Sequence, residues 1–399
     1  MKIAFLFNHD QVHQVAHGLP IALALAEAGG GHEIVIATTN PQLTAEVIRL
    51  GKEAIGSTIT LVQLGLRTVL SKTLSAALNR LVPATKLLIY RDNLDFFRSV
   101  DVLVVTEKTS LILKSHYGLD DLKIIHARHG AGDRAIGFDP ASARFDHVLA
   151  SGAKIRERLI NESGLDPARV SVVGYPKFDL VPKQRKRLPF AHSDRPTVLY
   201  NPHVSPHLSS WYGMGRQILD FFVENDRYNL IFAPHVMLFE RPYVISIDKL
   251  RIDRAGRIAE KYRRAPNIHV DLGSPASTDM TYTMAADIYL GDVSSQVYEF
   301  LLEPRPCLFL NPHHVAYEGD PNYAHWQAGP VIDSVAELGP ALDAAVATHG
   351  DYAPIQKALF DRSFDLTDEP SSERAARAIL GVLGDEKTLA RQKGLCAVA

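Results

Sequence analysis

Short apolar runs alternate with helix-like patterns along the chain. Strand-length runs are predicted in the first half at Lys2–Phe7, Glu33–Ala37, Thr58–Leu64, Val102–Val105, Lys123–Ala127, His147–Ala150 and Val170–Val173. A second series is predicted at Thr197–Tyr200, Asn229–Ala233, Ile268–Val270, Ile288–Leu290 and Cys307–Leu310. Apolar strands that alternate with helical patterns form βαβ units and a parallel sheet with helices on both faces. The pattern therefore predicts an α/β fold.

The segment Leu180–Pro196 interrupts this alternation. It contains KQRKR, three prolines and few apolar residues, which is typical of an interdomain linker. We predict a Rossmann-like domain over residues 1–180, a linker over 181–196, a second Rossmann-like domain over 197–385 and a tail over 386–399. Two doubly wound domains are expected to face each other across a cleft.

Length and charge limit the classes of protein to consider. With 399 residues and 46% hydrophobic residues, the chain is long enough for two domains. Its formal net charge is −2, so no overall positive field attracts nucleic acid. Cys307 and Cys396 lie far apart, which favours a reducing compartment over a disulfide framework. The start, MKIAFLFNHD, is typical of a first strand, and no run has the length of a membrane span. A cytoplasmic location is expected.

One stretch of the first half suggests contact with a membrane surface. Residues Ala54–Arg91 include no acidic residue, but they carry Arg67, Lys72, Arg80, Lys86 and Arg91 among many leucines. A basic amphipathic helix that lies on the inner face of a membrane has this composition. A core helix with a basic outer face is the alternative.

The stretch GDVSSQVYEFLL places small polar residues where a strand is predicted to turn into a helix. Ser294 and Ser295 would lie in the first turn, where unpaired N–H groups and the helix dipole favour a phosphate. In a parallel sheet this turn lies at the carboxyl end of a strand, where such folds bind ligands. The alternative is that Asp292 or Ser294 only caps the helix.

Three histidines follow predicted strands in the same way. They are His129 in the first domain, and His203 and His235 in the second. Three strand-end histidines favour a site in the cleft over three unrelated buried side chains. His9, His13 and His17 recur every four residues, but they lack an HExxH-type pattern. Pro20 in addition predicts a helix that begins only at residue 20 and runs to Ala28, so no metal site is predicted.

The order of these motifs resembles the CDP-glycerol glycerophosphotransferase family. The motifs that carry the resemblance are HG at residue 129, GYPKFD at residue 174, LYNPHVSPHLSSW, FAPH and GDVSSQVYEFLLEPRPCLFLNP. This family comprises teichoic-acid primases and polymerases with a two-domain GT-B fold. The resemblance covers residues 120–312 and implies a GT-B-like α/β fold, a CDP-linked donor and a hydroxyl acceptor.

The resemblance also implies roles for individual residues. His129 would be the base that deprotonates the acceptor hydroxyl, and His235 would meet the donor phosphate. Asp292 would orient its loop, and Glu299 would lie near the ribose or glycerol hydroxyls. The residues predicted on the donor or phosphate side are Asn201, His203, Pro234, Asp292, Ser294, Ser295, Gln296 and Glu299. The residues predicted on the acceptor side are His9, Asp10, Gly130, Asp133 and Arg134. For GYPKFD a tight turn is sufficient explanation.

Two departures from the family bear on the substrate. The family has an arginine after its YAPTW motif, where this chain has Val204-Ser205-Pro206-His207. The candidates to replace it are His203, His207, Arg128 and Arg134. In addition, His129-Gly130 is followed by AGDR at residues 131–134, where the wall polymerases have threonine, proline and lysine.

The predicted function is transfer of a glycerol-phosphate-like, alditol-phosphate or sugar-phosphate group from a CDP-linked donor to a hydroxyl acceptor, in envelope-glycan or lipid-linked polymer synthesis. No cofactor, metal or nucleic acid is expected, and formation of a homo-oligomer stays open. The alternatives are a nucleotide-sugar glycosyltransferase, a UDP-GlcNAc 2-epimerase-like enzyme, and a binding protein that has lost its chemistry. An epimerase is expected to carry several carboxylates on the first-domain face of the cleft.

Overall fold

The computed structural model describes residues 1–8, 12–78, 84–181, 189–190, 192–240, 243–246 and 251–384. The chain divides into two compact units. Unit 1 comprises residues 1–129, 138–180 and the chain from residue 364 onward, and unit 2 comprises 130–137 and 181–363. The predicted tail and half of the predicted linker lie outside the described residues.

Unit 1 is built on a parallel sheet of seven strands. The strands are β1 (Lys2–Phe7), β2 (Glu33–Thr38), β3 (Ile59–Gln63), β4 (Val102–Val105), β5 (Lys123–Ala127), β6 (His147–Ala150) and β7 (Val170–Val172). Their order is β3-β2-β1-β4-β5-β6-β7. The order reverses between β1 and β4, and ligands bind beyond the carboxyl ends of strands at such a reversal.

Helices pack on this sheet in unit 1. They are α1 (Val15–Ala28), α2 (Pro41–Gly51), α3 (Val69–Leu78), α4 (Ala84–Asp92), α5 (Leu94–Arg98), α6 (Ile112–Ser115), α7 (Ala153–Asn161) and the distant α14 (Ser371–Leu383). Two hydrophobic clusters are formed: one contains residues of α1 and α14, and the other contains Tyr90, Phe97 and Phe145.

Unit 2 contains a parallel sheet of six strands and a separate two-stranded antiparallel hairpin. Its strands are β8 (Thr197–Asn201), β9 (Asn229–Phe232), β10 (Val244–Ser246), β11 (Arg251–Asp253), β12 (Ile268–Val270), β13 (Ile288–Gly291), β14 (Cys307–Leu310) and β15 (Val331–Ile332). The order of the parallel sheet is β12-β9-β8-β13-β14-β15, and it reverses between β8 and β13.

The helices of unit 2 vary in length. They are α8 (Arg216–Glu224), α9 (Glu260–Arg264), α10 (Thr281–Ala285), α11 (Gln296–Phe300), α12 (Leu338–Ala347) and α13 (His349–Ser363). A cluster that includes Tyr200, Trp211, Phe222 and Phe232 fills the space between sheet and helices.

The predicted strands are confirmed, with differences of one residue at some ends. The α/β class with two parallel sheets is therefore confirmed. The sequence analysis missed the hairpin β10–β11 and the edge strand β15, which has only two residues. Such short segments carry too few alternating positions to produce a strand pattern.

Two predictions about helices are wrong. Pro20 led to an expected helix start at residue 20, but α1 begins at Val15 and contains Pro20. Gly18 lets this first turn lie close to Phe7, and burial of Val15 and Leu19 stabilises it. Residues 54–91 do not form one basic amphipathic helix, because they contain β3, α3 and most of α4.

The C-terminal helix α14 belongs to unit 1, whereas the predicted boundary at residue 385 would place it with the second domain. Its buried face carries Ala375, Ala376, Ile379 and Leu380, which join the core cluster of unit 1. The residues of GYPKFD hold its first turn. Asp179 accepts hydrogen bonds from the N–H groups of Ser371 and Ser372. The GYPKFD motif is architectural, as its tight turn indicated.

Among the described residues, no helix is both long enough and apolar enough to cross a bilayer.

Candidate functional site

His129 follows β5 and is the last residue of its segment in unit 1. Its Nδ1 lies 2.5 Å from the carbonyl oxygen of Thr106. A carbonyl can only accept, so Nδ1 carries the proton and, in the neutral ring, Nε2 is the basic nitrogen. Desolvation by the surrounding protein atoms lowers the pKa of His129, although its side chain is partly open to solvent and the bond to Thr106 acts in the opposite direction. The ring is therefore neutral at pH 7, which is the form that a general base requires.

A buried histidine, His17, lies near the exposed His129 in unit 1. The ring centroid of His17 lies 6.2 Å from that of His129 and 5.2 Å from that of Tyr175. Burial, followed by the charge of Lys177, lowers the pKa of His17 well below its ordinary value. From the sequence, His17 was considered only as a metal ligand, and that role was rejected because the predicted start of α1 placed His17 outside the helix.

A buried carboxylate lies beside the carbonyl that holds His129. Glu107 follows β4 and forms an ion pair with Lys86, with Oε2 and Nζ 3.2 Å apart. It also accepts hydrogen bonds from Asn8, Tyr90 and the backbone N–H of Ser110. Burial would raise its pKa, but Lys86 and these donors outweigh burial and lower the pKa to about 2. Glu107 is therefore a fixed anion and not a proton acceptor near neutral pH.

In unit 2, Asp292 organises the carboxyl ends of two neighbouring strands. It follows β13, is fully buried and accepts from the backbone N–H of His203 at 2.9 Å. It accepts further from the backbone N–H and the hydroxyl of Ser210, at 2.6 and 2.8 Å. Burial raises its pKa to about 6, although the bonds from Ser210 and His203 lower it. Asp292 therefore connects the loop after β13 to the loop after β8. Its role in donor binding stays a prediction.

The two serines of the predicted phosphate cradle have different environments. Ser294 is buried, and its hydroxyl donates to Oδ1 of Asn201 at 2.7 Å. Asn201 in turn donates to the carbonyl of Ala233 at 2.6 Å, so these residues connect the ends of β13, β8 and β9. Ser295 is exposed. The helix that follows, α11, has only five residues, so its dipole supports a phosphate less than the sequence analysis expected.

His203 and His235 occupy equivalent positions after β8 and β9. In each, a proline precedes the histidine, and Nδ1 accepts the backbone N–H two residues later. The distances are 2.9 Å from Ser205 and 3.3 Å from Met237. The proton of each neutral ring must then be on Nε2. The two ring centroids are 6.0 Å apart.

Arg134 was predicted on the acceptor side, but it contacts a residue predicted for the donor side. Its Nη1 lies 3.2 Å from Nε2 of His203, within unit 2. Burial, followed by the charge of Arg134, lowers the pKa of His235 to about 4. The same two causes lower the pKa of His203 well below its ordinary value. The two imidazoles are thus neutral at pH 7, and not imidazolium ions.

The segment that carries Arg134 is held in unit 2 by Asp133. One carboxylate oxygen of Asp133 accepts from the hydroxyl of Tyr298 at 2.6 Å and lies 2.9 Å from Nδ1 of His325. Nε2 of His325 lies 3.0 Å from the carbonyl oxygen of Asp292. Asp133 therefore connects the loop after His129 to the loop after β13, rather than facing an acceptor.

The remaining predicted residues have mixed outcomes. Gly130 has a φ of +77°, a conformation that glycine adopts without strain. Gln296 donates to the carbonyl of Ser277, Pro234 is buried in its turn, and Glu299 is buried in α11. His9 and Asp10 lie outside the described residues. Within the described part of the chain, no group of three His, Cys, Asp or Glu side chains could hold a metal ion.

Several residues of the site were missed in the sequence analysis. Thr106 and Glu107 directly follow the predicted strand β4, so the strand-end rule that selected His129 could have selected them. Tyr298 and His325 reach the site through long-range contacts to Asp133, for which the sequence has no local signal.

A family model matches this chain over residues 254–381, and its description is CDP-glycerol:poly(glycerophosphate) glycerophosphotransferase. The resemblance to this family is thereby confirmed over that segment. The predicted class, a glycerophosphotransferase-like transferase, is supported at the level of the family. No curated protein matches the chain.

Solved structures resemble the whole chain at low identity. A variant of the wall teichoic acid polymerase TagF soaked with CDPG has a TM-score of 0.61 and 14% identity, and the match covers 96% of this chain and 89% of that one. MnaA from S. aureus with UDP has a TM-score of 0.60 and 15% identity, with 96% and 97% covered. A UDP-N-acetylglucosamine 2-epimerase has a TM-score of 0.58 and 13% identity, with 96% of each chain covered. These likenesses confirm the GT-B-like fold.

Proposed function

We propose that this chain transfers a glycerol-phosphate-like group from a CDP-linked donor to a hydroxyl acceptor. The observation that carries the proposal is His129, whose neutral ring is held by the Thr106 carbonyl with Nε2 as its basic nitrogen. The family match over residues 254–381 supports the choice of reaction, and the TagF structure soaked with CDPG supports the choice of donor. The transferred group is glycerol phosphate or a related alditol or sugar phosphate.

The proposed reaction is a displacement at the β-phosphorus of the donor. Nε2 of His129 takes the proton of the acceptor hydroxyl as its oxygen attacks phosphorus. The bond from this phosphorus to the bridging oxygen breaks, and CMP leaves with that oxygen and the bonding electron pair. Negative charge grows on the phosphoryl oxygens and on the leaving group, so N–H donors at fixed positions lower the barrier. After product release, protonated His129 gives this proton to water, which restores the neutral ring.

Nucleotide release tests the proposal directly. The full chain is incubated with CDP-glycerol, CDP-ribitol, UDP-glucose or UDP-N-acetylglucosamine, each with and without glycerol or a polyol phosphate as acceptor. We expect CMP release from a CDP-linked donor that increases with acceptor concentration. Release of UDP would identify a glycosyltransferase instead. Nucleotide binding without any turnover over this panel would identify a binding protein.

The same panel addresses the epimerase alternative. The MnaA structure is as similar to this chain as the TagF structure is, so the fold does not separate the two reactions. The carboxylates near the histidines favour transfer, because Glu107 in unit 1 is paired with Lys86, and Asp133 in unit 2 is bonded to Tyr298 and His325. Neither carboxylate is available as a base. Isomerisation of UDP-N-acetylglucosamine without nucleotide release would contradict the proposal.

A peripheral position on the inner face of the membrane and a lipid-linked acceptor complete the proposal. Helix α3 supports it, since Val69 and Leu70 are 78% and 65% exposed and Leu74 and Lys72 lie exposed on the same short helix. Apolar side chains beside a basic residue favour an anionic bilayer surface. Arg67 contributes less than the sequence suggested, because it forms an ion pair with Asp95.

Sedimentation with liposomes tests this position. We expect the chain to sediment with phosphatidylglycerol vesicles, and V69S/L70S to remain in the supernatant. The double variant L366S/V346S replaces other exposed apolar side chains and is the matched control. Equal sedimentation of all three proteins would remove α3 from the proposal.

A further inference from the structure

His203 lies between two hydrogen-bond donors. Its Nδ1 faces the backbone N–H of Ser205 at 2.9 Å, and its Nε2 faces Nη1 of Arg134 at 3.2 Å. A neutral imidazole has one acceptor nitrogen and one N–H. It cannot accept from both neighbours, so one of the two contacts sets a donor against a donor. The backbone fixes the position of the Ser205 N–H group. The contact between two donors is therefore the one between Nε2 of His203 and Nη1 of Arg134.

His235 has the same orientation. Its Nδ1 accepts from the backbone N–H of Met237, which leaves the N–H on Nε2. The ring lies 6.0 Å from that of His203, and the charge of Arg134 acts on both. Two imidazole N–H groups and one guanidinium therefore belong to one cluster at the carboxyl ends of β8 and β9. His203 is 9% exposed, so this donor is largely removed from water.

His325, in the same unit, has the opposite environment. Its Nδ1 faces the carboxylate of Asp133, and its Nε2 faces the carbonyl of Asp292. Both of its nitrogens meet acceptors that the protein itself provides. At His203 the protein provides donors on both sides, and an acceptor from a ligand would resolve the conflict. A phosphate oxygen is such an acceptor, since it carries negative charge and takes several hydrogen bonds at once.

We infer that Arg134, His203 and His235 form an anion site in unit 2 that binds the diphosphate of a nucleotide-linked donor, with Arg134 replacing the arginine missing after Pro202-His203. A guanidinium supplies charge and a fixed pair of donors, and the two imidazoles supply one N–H each. Arg134 is thus a donor-binding residue and not an acceptor-side residue. The anchoring of Asp133 by Tyr298 and His325 holds the segment in place.

The inference rests on the proposed function for the identity of the ligand, but its binding can be tested without turnover. Pyrophosphate, CDP and CMP are titrated into the full chain by calorimetry, with the wild type, R134A, R134Q and R134K. We expect pyrophosphate and CDP to bind the wild type, and R134A and R134Q to bind them roughly 10- to 100-fold more weakly. R134K should recover part of the loss, because lysine keeps the charge but not the paired donors.

R227A is the matched control, because Arg227 is an exposed arginine of unit 2 whose partner is Asp343 on the surface. It should bind both ligands like the wild type. Thermal unfolding of each variant without ligand checks the fold, and R134Q, which keeps the length of the side chain, replaces R134A if the latter is unfolded.

Wild-type affinity for pyrophosphate in both R134A and R134Q would overturn the inference, as would a wild type that binds neither pyrophosphate nor CDP. The proposed function fails differently. Binding that depends on Arg134, without CMP release from any CDP-linked donor, would support the anion site and contradict the transferase. CMP release that is unaffected in R134A would support the transferase and contradict the site.

Discussion

The two units hold their strand-end histidines in opposite tautomers. In unit 1, His129 donates from Nδ1 to the Thr106 carbonyl, so Nε2 is an acceptor. In unit 2, His203 and His235 accept at Nδ1 from backbone N–H groups, so Nε2 is a donor. The same side chain is thus prepared as a base in one unit and as a hydrogen-bond donor in the other. The backbone group that contacts Nδ1, a carbonyl or an N–H, decides which of these two forms the ring adopts.

The charged groups around these histidines also differ between unit 1 and unit 2. In unit 1 the cation Lys86 and the anion Glu107 form an ion pair near His129, and the guanidinium of Arg128 adds a further positive charge that acts on this ring. In unit 2 the carboxylate of Asp292 is satisfied by backbone N–H groups and a hydroxyl, while Arg134 faces a histidine. Unit 1 thus offers a basic ring nitrogen, and unit 2 offers imidazole N–H groups beside a guanidinium. The proposed division into an acceptor unit and a donor unit rests on this difference.

The largest effect is expected from removal of the base. H129N should lower the turnover number for CMP release roughly 10²- to 10⁴-fold, because general base catalysis contributes about this much. The assay is initial rate with saturating CDP-glycerol and acceptor. H116N removes an exposed histidine of the same unit and should retain the wild-type rate. If H129N retained more than a tenth of the rate, His129 would not be the base.

A smaller effect, on stability, is expected when Asp292, whose carboxylate accepts hydrogen bonds in unit 2, is replaced. In D292N, the new amide N–H₂ group faces either the backbone N–H of His203 or the N–H and hydroxyl of Ser210, so donors on that side lose their acceptor. We expect a loss of about 1–3 kcal/mol in the free energy of unfolding at pH 7, because a buried N–H group loses its acceptor. Urea denaturation measures it, and D226N, at an exposed aspartate, is the control. An unchanged midpoint would show that Asp292 does not support these loops.

The pH dependence sharpens the contrast between the units. Desolvation by the surrounding protein atoms lowers the pKa of His129, so the neutral base persists below pH 6.5 and is lost as the pH falls through its lowered pKa. The rate of CMP release should be constant from pH 8 to 6.5 and then decline about tenfold per pH unit below that pKa. A rate that starts to decline above pH 7 on acidification would contradict a base with a lowered pKa.

The smallest effect is expected from a change in the loop of residues 130–137, which belongs to unit 2 and follows His129 in sequence. A Cβ on Gly132 would lie 2.9 Å from Cβ of Ser295, so G132A must displace one of these two loops by a few tenths of an ångström. We expect the KM for the donor to rise several-fold, with a smaller change in kcat. G350A, where a Cβ meets nothing within 4 Å, is the control in the same unit. Equal KM values in all three proteins would indicate that Ser295 does not contact the donor.

Local pattern was sufficient for the fold and for part of the site. Apolar runs located the strands of both parallel sheets, and the residues after those strands include His129, His203, His235 and Asp292. Polar side chains collect there because parallel strands present their carboxyl ends at one edge of a sheet.

Long-range contacts determined the rest. Arg134 lies five residues after His129 in sequence, yet its segment packs in unit 2, and nothing local indicates that change of unit. Helix α14 returns to unit 1 for the same kind of reason, because its apolar face fits the core around α1. The start of α1 was missed because tertiary packing outweighs the local preference of Pro20.

The opposite tautomers can be observed directly. Long-range ¹H–¹⁵N correlation spectra of the full chain at pH 7.5 distinguish a protonated Nδ1 from a protonated Nε2, and H129N, H203N and H235N assign the signals. The account predicts a proton on Nδ1 of His129, and a proton on Nε2 of both His203 and His235. The same tautomer in all three rings would contradict the division into a base and an anion site.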